Sequence, residues 1–563
     1  MRSMNCVPGN CSRTMAGTAD VTCCLISTSS TGPPATASHS RVVEPSCAIK
    51  RRSTWRSRVA CAGVAAASAK RSRRGGLEEL EDMSEIVVSV RRIDLPHGPR
   101  ETMAALRGDA PGVLLESALP MEGQGQWSYV AGAARATLYT DAGGTVLRRT
   151  GQADMGFADP FEALEAMASA KQVRVVADEP VPEGLGFIGG WVGVLGYDAA
   201  RHLHRLPETA QDEPSLPQMW WMAVDQVLAY HQPSRQWWEC TSSGPGDGWP
   251  WTTTDRLAAW ADTLARARRP APSRRPWMAG ARQLRMSREG FESGVEHIRE
   301  AIANGEVLQV NLTRREDAAF QGDAWSLYED LVAAHPVPFT AFIETPDFSI
   351  ASCSPERFLK LQGRTVQARP IKGTVARGRT PDEDAANRDW LAASEKNRAE
   401  NLMIVDLMRN DIGRVAELGS VRVPDLFALE PYASVWQMVS TVQATLREGL
   451  GPADLLRACW PPGSMTGAPK LAAMQAIEAL EPLRRGFYAG SIGYIDCRGN
   501  MDLSVVIRTA VVARGKVMVQ VGGGIVADSD PASEWNETVA KGERLVRVLD
   551  AGFSGSASPA APR

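Results

Sequence analysis

The sequence predicts an α+β fold built on large antiparallel sheets, and three observations carry this. From residue 83 to about 265 the chain is a series of short β-type runs separated by turn residues; EIVVSV, GVLLESAL, SYVAGAA, ATLYT and FIGGWVGVLGY are the clearest. Beyond residue 285, strand and helix patterns come in blocks. Near the C-terminus GFYAGSIGYID, LSVVIRTAVV and KVMVQVGGGIV form a run of strands closed by a single helix. A doubly wound parallel sheet would instead alternate strand with helix throughout.

The first 76 residues stand apart. They hold two acids, Asp20 and Glu44, against twelve Lys and Arg residues, and are rich in Ser, Thr and Ala. A transit peptide has this acid-poor, Arg- and Ser-rich character. No clean apolar stretch follows Arg2, so a secretory signal fits poorly. A start at Met83 is favoured, because MSEIVVSVRRIDL opens abruptly as strand sequence. Residues 1–82 are therefore expected to be an extension outside the fold. An N-terminal subdomain is expected over 83–265, a basic, Pro-containing linker over 266–284 (RARRPAPSRRPW at 266–277), a main C-terminal region over 285–552 and a flexible tail over 553–563.

Within 285–552, Phe291, Val295, Ile298 and Ile302 are spaced four, three and four apart and predict an amphipathic helix over 287–304. LQVNLTR, FTAFIET, FSIASCS and TVQARPIKGT follow as strands, and residues 389–409 read as one long helix. The last helix, 531–549, opens on Asp530–Pro531, a good N-cap and first-turn pair.

Bulk properties exclude several functions. A net charge of -3 gives no reason to expect a nucleic acid or a membrane surface as partner, and no apolar run approaches the ~20 residues that span a bilayer. Six of the ten cysteines fall within the first 61 residues. The other four, Cys240, Cys353, Cys459 and Cys497, are scattered singly without metal-ligand spacing, which suits a reducing cytoplasm.

Several polar residues sit where chemistry is expected. In the last helix Glu534, Glu537 and Lys541 are three and four apart and share a face. That face could simply be solvated, but the preceding VGGGIV permits close backbone approach and could present N–H groups to a carboxylate. Glu400 lies among Ala399, Leu402, Met403 and Val405, close to an apolar face where a carboxylate is costly unless paired or bound to a cation. Glu400 and Glu537 from separate helices would suit Mg²⁺; a buried salt bridge to an arginine is equally consistent with the pattern. Glu356 follows a strand in SCSPERF, where an acid or base can face a pocket. Lys372, in PIKGT, is placed at the end of the next strand; desolvated, it would become a neutral nucleophile. PPGSMTGAPK lacks the G-x-x-x-x-G-K-[ST] order of a phosphate-binding loop.

Taken in order, SPERFL, PIKGT, AENLMIVDLMRNDIGR, VSTV, PPGSMTGAPK, GFYAGSIGYID, VIRTA and GGGIVADSDPASEWNET resemble the chorismate-utilising enzymes, densely over 287–550. The resemblance reaches upstream thinly, through LLESA and GGWVGVLGYD. Within the family the chain looks like the branch that aminates chorismate. The resemblance implies two large antiparallel sheets packed as a sandwich around the active site, with helices outside, and makes 285–552 the chorismate-binding region. It implies Mg²⁺ on Glu400 and Glu537, assisted by Glu534, holding the ring carboxylate. Arg508 and Tyr488 would hold the enolpyruvyl carboxylate, Gly522 and Gly523 would supply N–H groups, and Thr374 and Lys541 would line the pocket.

Two positions select the reaction by this resemblance. Relatives that add water at ring carbon 2 carry a lysine base where this chain has Gln309, and anthranilate-forming relatives read PIAGT where it has PIKGT. Both point to amination at ring carbon 4, with Lys372 as nucleophile, Glu356 as general acid and a covalent lysine adduct. Gln437 stands where many relatives have histidine, and Asn397 where an acidic residue is common. No glutaminase domain is visible, so ammonia is expected from a separate glutamine amidotransferase subunit in a heterodimer. Ser117, Pro338 and Phe339 resemble the tryptophan pocket of relatives. Anthranilate formation and a non-catalytic scaffold are the competing readings.

Overall fold

The computed structural model describes residues 86–553 apart from short stretches at 109–110, 122–123, 133, 150, 168–171 and 244–254. The expected extension and the tail beyond residue 553 lie outside the described residues.

Two large sheets dominate. One has fourteen strands among the described residues and the other twelve. Pairing is antiparallel throughout the strand ladders except between Ile86–Ile93 and Val173–Ala177. Strands from either side of residue 265 build both sheets. Phe339–Glu344 pairs with Gly112–Glu116 in the first, and Ser491–Asp496 pairs with Gly190–Leu195 in the second. The expected subdomain boundary is thus not a boundary between sheets. The stretch expected as linker adds two short strands, Trp277–Ala279 and Gln283–Leu284, to the long strand Gln309–Gly322.

The sequence of the central strands explains the layering. In Met219–Val224 every residue is buried, and successive side chains go to opposite faces. Met219, Trp221 and Ala223 join a core under the helices of the second sheet, including Glu395–Gly413. Trp220, Met222 and Val224 join Val113, Ile343 and Ile350 of the first sheet in the core between the sheets. Strands covered on both faces read as continuous apolar runs rather than alternating ones. Helices over the outer face of the first sheet, Ala324–Ala334 and Pro531–Phe553, supply Trp325, Leu331, Leu545 and Leu549. Among the described residues no helix is long and apolar enough to cross a membrane.

Helix Arg288–Ala303 forms as its periodicity predicts, with the Ser287 hydroxyl accepting from the Gly290 N–H at 3.1 Å. The long helix expected over 389–409 is two helices, Pro381–Ala393 and Glu395–Gly413. They part at Ser394, whose backbone is extended and whose Oγ caps the second helix by accepting from Asn397. A serine N-cap outcompetes continuation here.

A buried ion pair locks the loop 461–470 to the first sheet. Arg485 bonds Glu481 at 2.6 Å and also donates to the carbonyls of Met465 and Asn311, each at 2.7 Å. Glu481 in turn accepts from the backbone N–H and hydroxyl of Thr313. Removing one partner of such a pair strands the other's charge. Arg485→Met is expected to destabilise the fold by about 3–5 kcal/mol, read by urea unfolding.

Candidate active site

A cavity of ≈ 740 Å³ opens between the C-terminal strands of both sheets and the helices Glu395–Gly413 and Pro531–Phe553. Its wall includes Glu356, Lys372, Thr374, Glu400, Tyr488, Arg508, Gly522, Glu537 and Lys541. These residues span 186 positions of sequence, and the two sheets bring them onto one concavity.

Lys372 is the second residue of strand Ile371–Ala376, not the end of the preceding strand Thr365–Arg369. Pro370 separates the two. The register of the new strand against Val435–Thr445 shifts between Ile371 and Thr374, a bulge of the kind that re-aims a side chain. Gly373 makes it possible: its φ is 90°, and a Cβ there would lie 3.1 Å from Asn397. Desolvation pushes the Lys372 amine below the ordinary lysine range, and the charge of Lys541 adds to this. Glu400, Glu356 and Glu537 oppose it.

Glu356 lies between strands Phe348–Ser354 and Arg357–Gln362 and is buried. Burial raises its carboxyl to about 7, against the hydrogen bond from Ser464 and the positive charge of Lys372. One cavity therefore holds an amine shifted towards its neutral form and a carboxyl shifted towards its protonated form. Opposed shifts of this kind distinguish an acid and a nucleophile from an ordinary ion pair.

The cationic end of the cavity is richer than the sequence suggested. Arg508, held at φ 52°, donates to His335 Nε2, and Arg544 lies 3.0 Å from His335 Nδ1. Burial and the two guanidinium groups lower His335 to about 3, so it stays neutral, and burial with Arg544 lowers Arg508 to about 10. Two guanidinium groups meeting an imidazole rather than a carboxylate suit an incoming anion. Tyr488 is buried on the wall of the same cavity, and burial pushes its phenol up. Arg544 and His335 were missed. Arg544 carried a usable signal, three residues beyond Lys541 on the same helical face; His335, just past the helix Ala324–Ala334, carried none.

The acidic end gathers Glu534, Glu537 and Lys541 around the glycine run. A Cβ on Gly523 would lie 3.3 Å from Glu534 Oε2, 3.7 Å from Lys541 Nζ and 3.8 Å from Glu537 Oε1. Gly522 has no room for a side chain, since a Cβ there would stand 2.5 Å from the Leu312 carbonyl. Glu537 pairs with Lys541 at 2.6 Å, which holds its carboxyl low. Glu534 is buried, accepts from Ser529 at 2.6 Å and is raised by desolvation and by Glu537. Glu400 is half-buried with Lys396 3.9 Å away, whereas Asn401 beside it is fully buried. Hard carboxylate oxygens, with the charge of Glu537 raising the proton affinity of Glu534, fit a divalent cation. They do not close a cage: among the described residues no three His, Cys, Asp or Glu side chains group as a metal site.

Gln309 is fully buried with both amide atoms unpartnered by protein, and Gln437 Oε1 is likewise unpartnered. A Cβ on Gly524 would meet Gln309 Nε2 at 2.3 Å and Lys372 Nζ at 3.3 Å. Gln309 is thus a neighbour of the candidate nucleophile. Asn397 lines the cavity and donates to Ser394. Cys240, Cys353, Cys459 and Cys497 are free and buried, and burial pushes each thiol up.

Ser117, Pro338 and Phe339 lie elsewhere, together on a second cavity of ≈ 160 Å³. The Ser117 hydroxyl donates to the Pro338 carbonyl at 3.1 Å, and Arg357, paired with Asp502, stacks 5.1 Å over the Phe339 ring.

The chain is 40% identical over 439 residues to aminodeoxychorismate synthase component 1 of Klebsiella aerogenes, covering 78% of this chain and 93% of the relative. It is 39% identical over 406 residues to the protein of the same name from Escherichia coli (strain K12), covering 70% and 83%. Among solved structures, anthranilate synthase component I from Streptococcus pneumoniae TIGR4 superposes with a TM-score of 0.64 at 28% identity, covering 75% of this chain and 92% of that one. The family model for chorismate binding enzymes matches residues 118–547. The chain belongs to the chorismate binding enzyme family.

Proposed function

We propose that this protein aminates chorismate at ring carbon 4, giving 4-amino-4-deoxychorismate. The observation that carries the reading is the pairing of a depressed Lys372 amine with a raised Glu356 carboxyl in one cavity. Sequence similarity to enzymes named aminodeoxychorismate synthase component 1 supports it.

Neutral Lys372 attacks ring carbon 2 while Glu356 protonates the departing hydroxyl at carbon 4, and both ring double bonds shift. Ammonia then adds at carbon 4 and expels the lysine. The covalent detour divides one hard displacement into two easier steps. Arg508, with Arg544 beside it and Tyr488 on the same cavity wall, takes the enolpyruvyl carboxylate. Glu400, Glu534 and Glu537 would hold Mg²⁺, which supplies charge neutralisation and a fixed point for the ring carboxylate. Thr374, Lys541 and the N–H groups of Gly522 and Gly523 complete the pocket. The second cavity, with Ser117, Pro338 and Phe339, is assigned to an amino-acid ligand such as tryptophan. The ammonia source is a separate glutamine amidotransferase subunit, and the working compartment is the cytoplasm.

The test is to incubate the purified protein with chorismate, Mg²⁺ and an ammonium salt and identify the product by mass. Aminodeoxychorismate is expected. Anthranilate would replace this reading with the anthranilate-forming one, and no turnover would favour a scaffold.

A further inference from the structure

Strand Gln309–Gly322 enters the active site with two buried amides in succession on one face, Gln309 and Asn311, at 0% and 5% exposure. Asn311 Nδ2 donates to the Ser464 carbonyl at 3.1 Å, which fixes the orientation of the amide. Its Oδ1 is then left as an acceptor without a protein donor, and Asn311 lines the large cavity. The Gln309 amide oxygen too has no protein donor. The two acceptors are placed around the reacting groups. Ser464, to which Asn311 is tied, hydrogen-bonds the Glu356 carboxyl, and the Gln309 amide lies beside Lys372.

We infer that Asn311 and Gln309 form the receiving site for the amine nucleophile, ammonia, and that Asn311 is the principal acceptor. The inference rests on the reaction proposed above. Buried oxygens without donors require a ligand that brings N–H or O–H groups. The two carboxylates of the substrate bring only acceptors and would be repelled. Ammonia brings three N–H donors and one lone pair, so two amide oxygens can hold it while the lone pair stays free to attack. Proximity to Glu356 places it at the carbon whose hydroxyl that residue has just released.

The steps balance. The Lys372 nitrogen bonds carbon 2, the two ring double bonds move to carbons 1–6 and 4–5 (and move back when ammonia adds), the carbon 4–oxygen bond breaks, and the Glu356 proton leaves in water. Ammonia's lone pair then bonds carbon 4, the carbon 2–nitrogen bond returns its electron pair to Lys372, and the surplus proton on the new amine passes to the Glu356 carboxylate. The backbone carbonyl of Asn311 is held separately by Arg485, so a side-chain replacement leaves the strand anchored.

The experiment uses ammonium chloride as sole nitrogen donor and compares the parent with Asn311→Leu and Gln309→Met. The second variant removes no protein hydrogen bond, which guards against misfolding of the first. Asn311→Leu is expected to raise the KM for ammonium tenfold or more with a much smaller change in the KM for chorismate. The Lys372 adduct still forms from chorismate alone and accumulates, as intact-protein mass spectrometry reads. Gln309→Met is expected to move in the same direction by a smaller factor. An unchanged ammonium KM in both variants overturns the inference. So does slowed adduct formation at unchanged ammonium KM, because the amides would then serve the departing hydroxyl. Absence of an adduct in the parent is a different result: it removes the Lys372 mechanism itself.

Discussion

Lys372→Ala is expected to abolish the covalent intermediate and lower kcat by at least ~10³-fold, the scale of removing a nucleophile from a site whose binding groups persist. The expectation follows from where the amine is held. An ordinary lysine is almost wholly protonated at neutral pH and cannot attack. Here burial in the cavity favours the neutral form, and Lys541 across the cavity disfavours a second positive charge. The three glutamates that pull the other way are themselves engaged. Glu537 is paired with Lys541, Glu356 is shifted towards its protonated form, and Glu400 lies near Lys396. Intact-protein mass spectrometry during turnover should show an adduct in the parent and none in the variant, and an adduct in both would remove Lys372 from the role. Residual amination in the variant can arise only by direct attack of ammonia.

Much of this site was legible in the sequence because short motifs fix their own local geometry. Asp530 caps the last helix by accepting from Ser533, and the four-residue spacing of Glu537 and Lys541 becomes a direct ion pair. What was not legible depends on tertiary placement. The break at Ser394 turns on whether a serine caps or is passed through, and helical periodicity does not register that choice. Glu400 was expected against an apolar face, yet the fully buried polar residue of its helix is Asn401, satisfied by Ser440 and the Met438 carbonyl. His335 belongs to the cavity only because the first sheet carries its helix end to Arg508, which no local pattern encodes. Asn311 is an intermediate case. It lies two residues from Gln309 and shares its face, but its meaning emerges only when Ser464 and Glu356 are seen beside it.

The same dependence on burial governs Glu356, whose replacement by glutamine should slow adduct formation by about 10²–10⁴-fold, the usual contribution of a general acid. Glutamine keeps the shape and can still hydrogen-bond, but it has no proton to give the leaving hydroxyl. The pH dependence distinguishes this from a loss of packing. Burial raises the carboxyl to about 7, so the competent protonated form is full well below that value and is lost as the pH rises through it. Adduct formation, followed in single turnovers without ammonia, should therefore fall above about pH 7, approaching tenfold per unit. Ser464 supplies an internal control of the sign. Its hydrogen bond favours the ionised carboxylate, so Ser464→Ala should raise the Glu356 pKa and carry the falling limb to higher pH. Asn311 is bonded to the carbonyl of Ser464, not its hydroxyl, so that contact survives the change. A limb that stays in place in Ser464→Ala would mean that another group sets it, and Glu356 would lose its assignment as the acid.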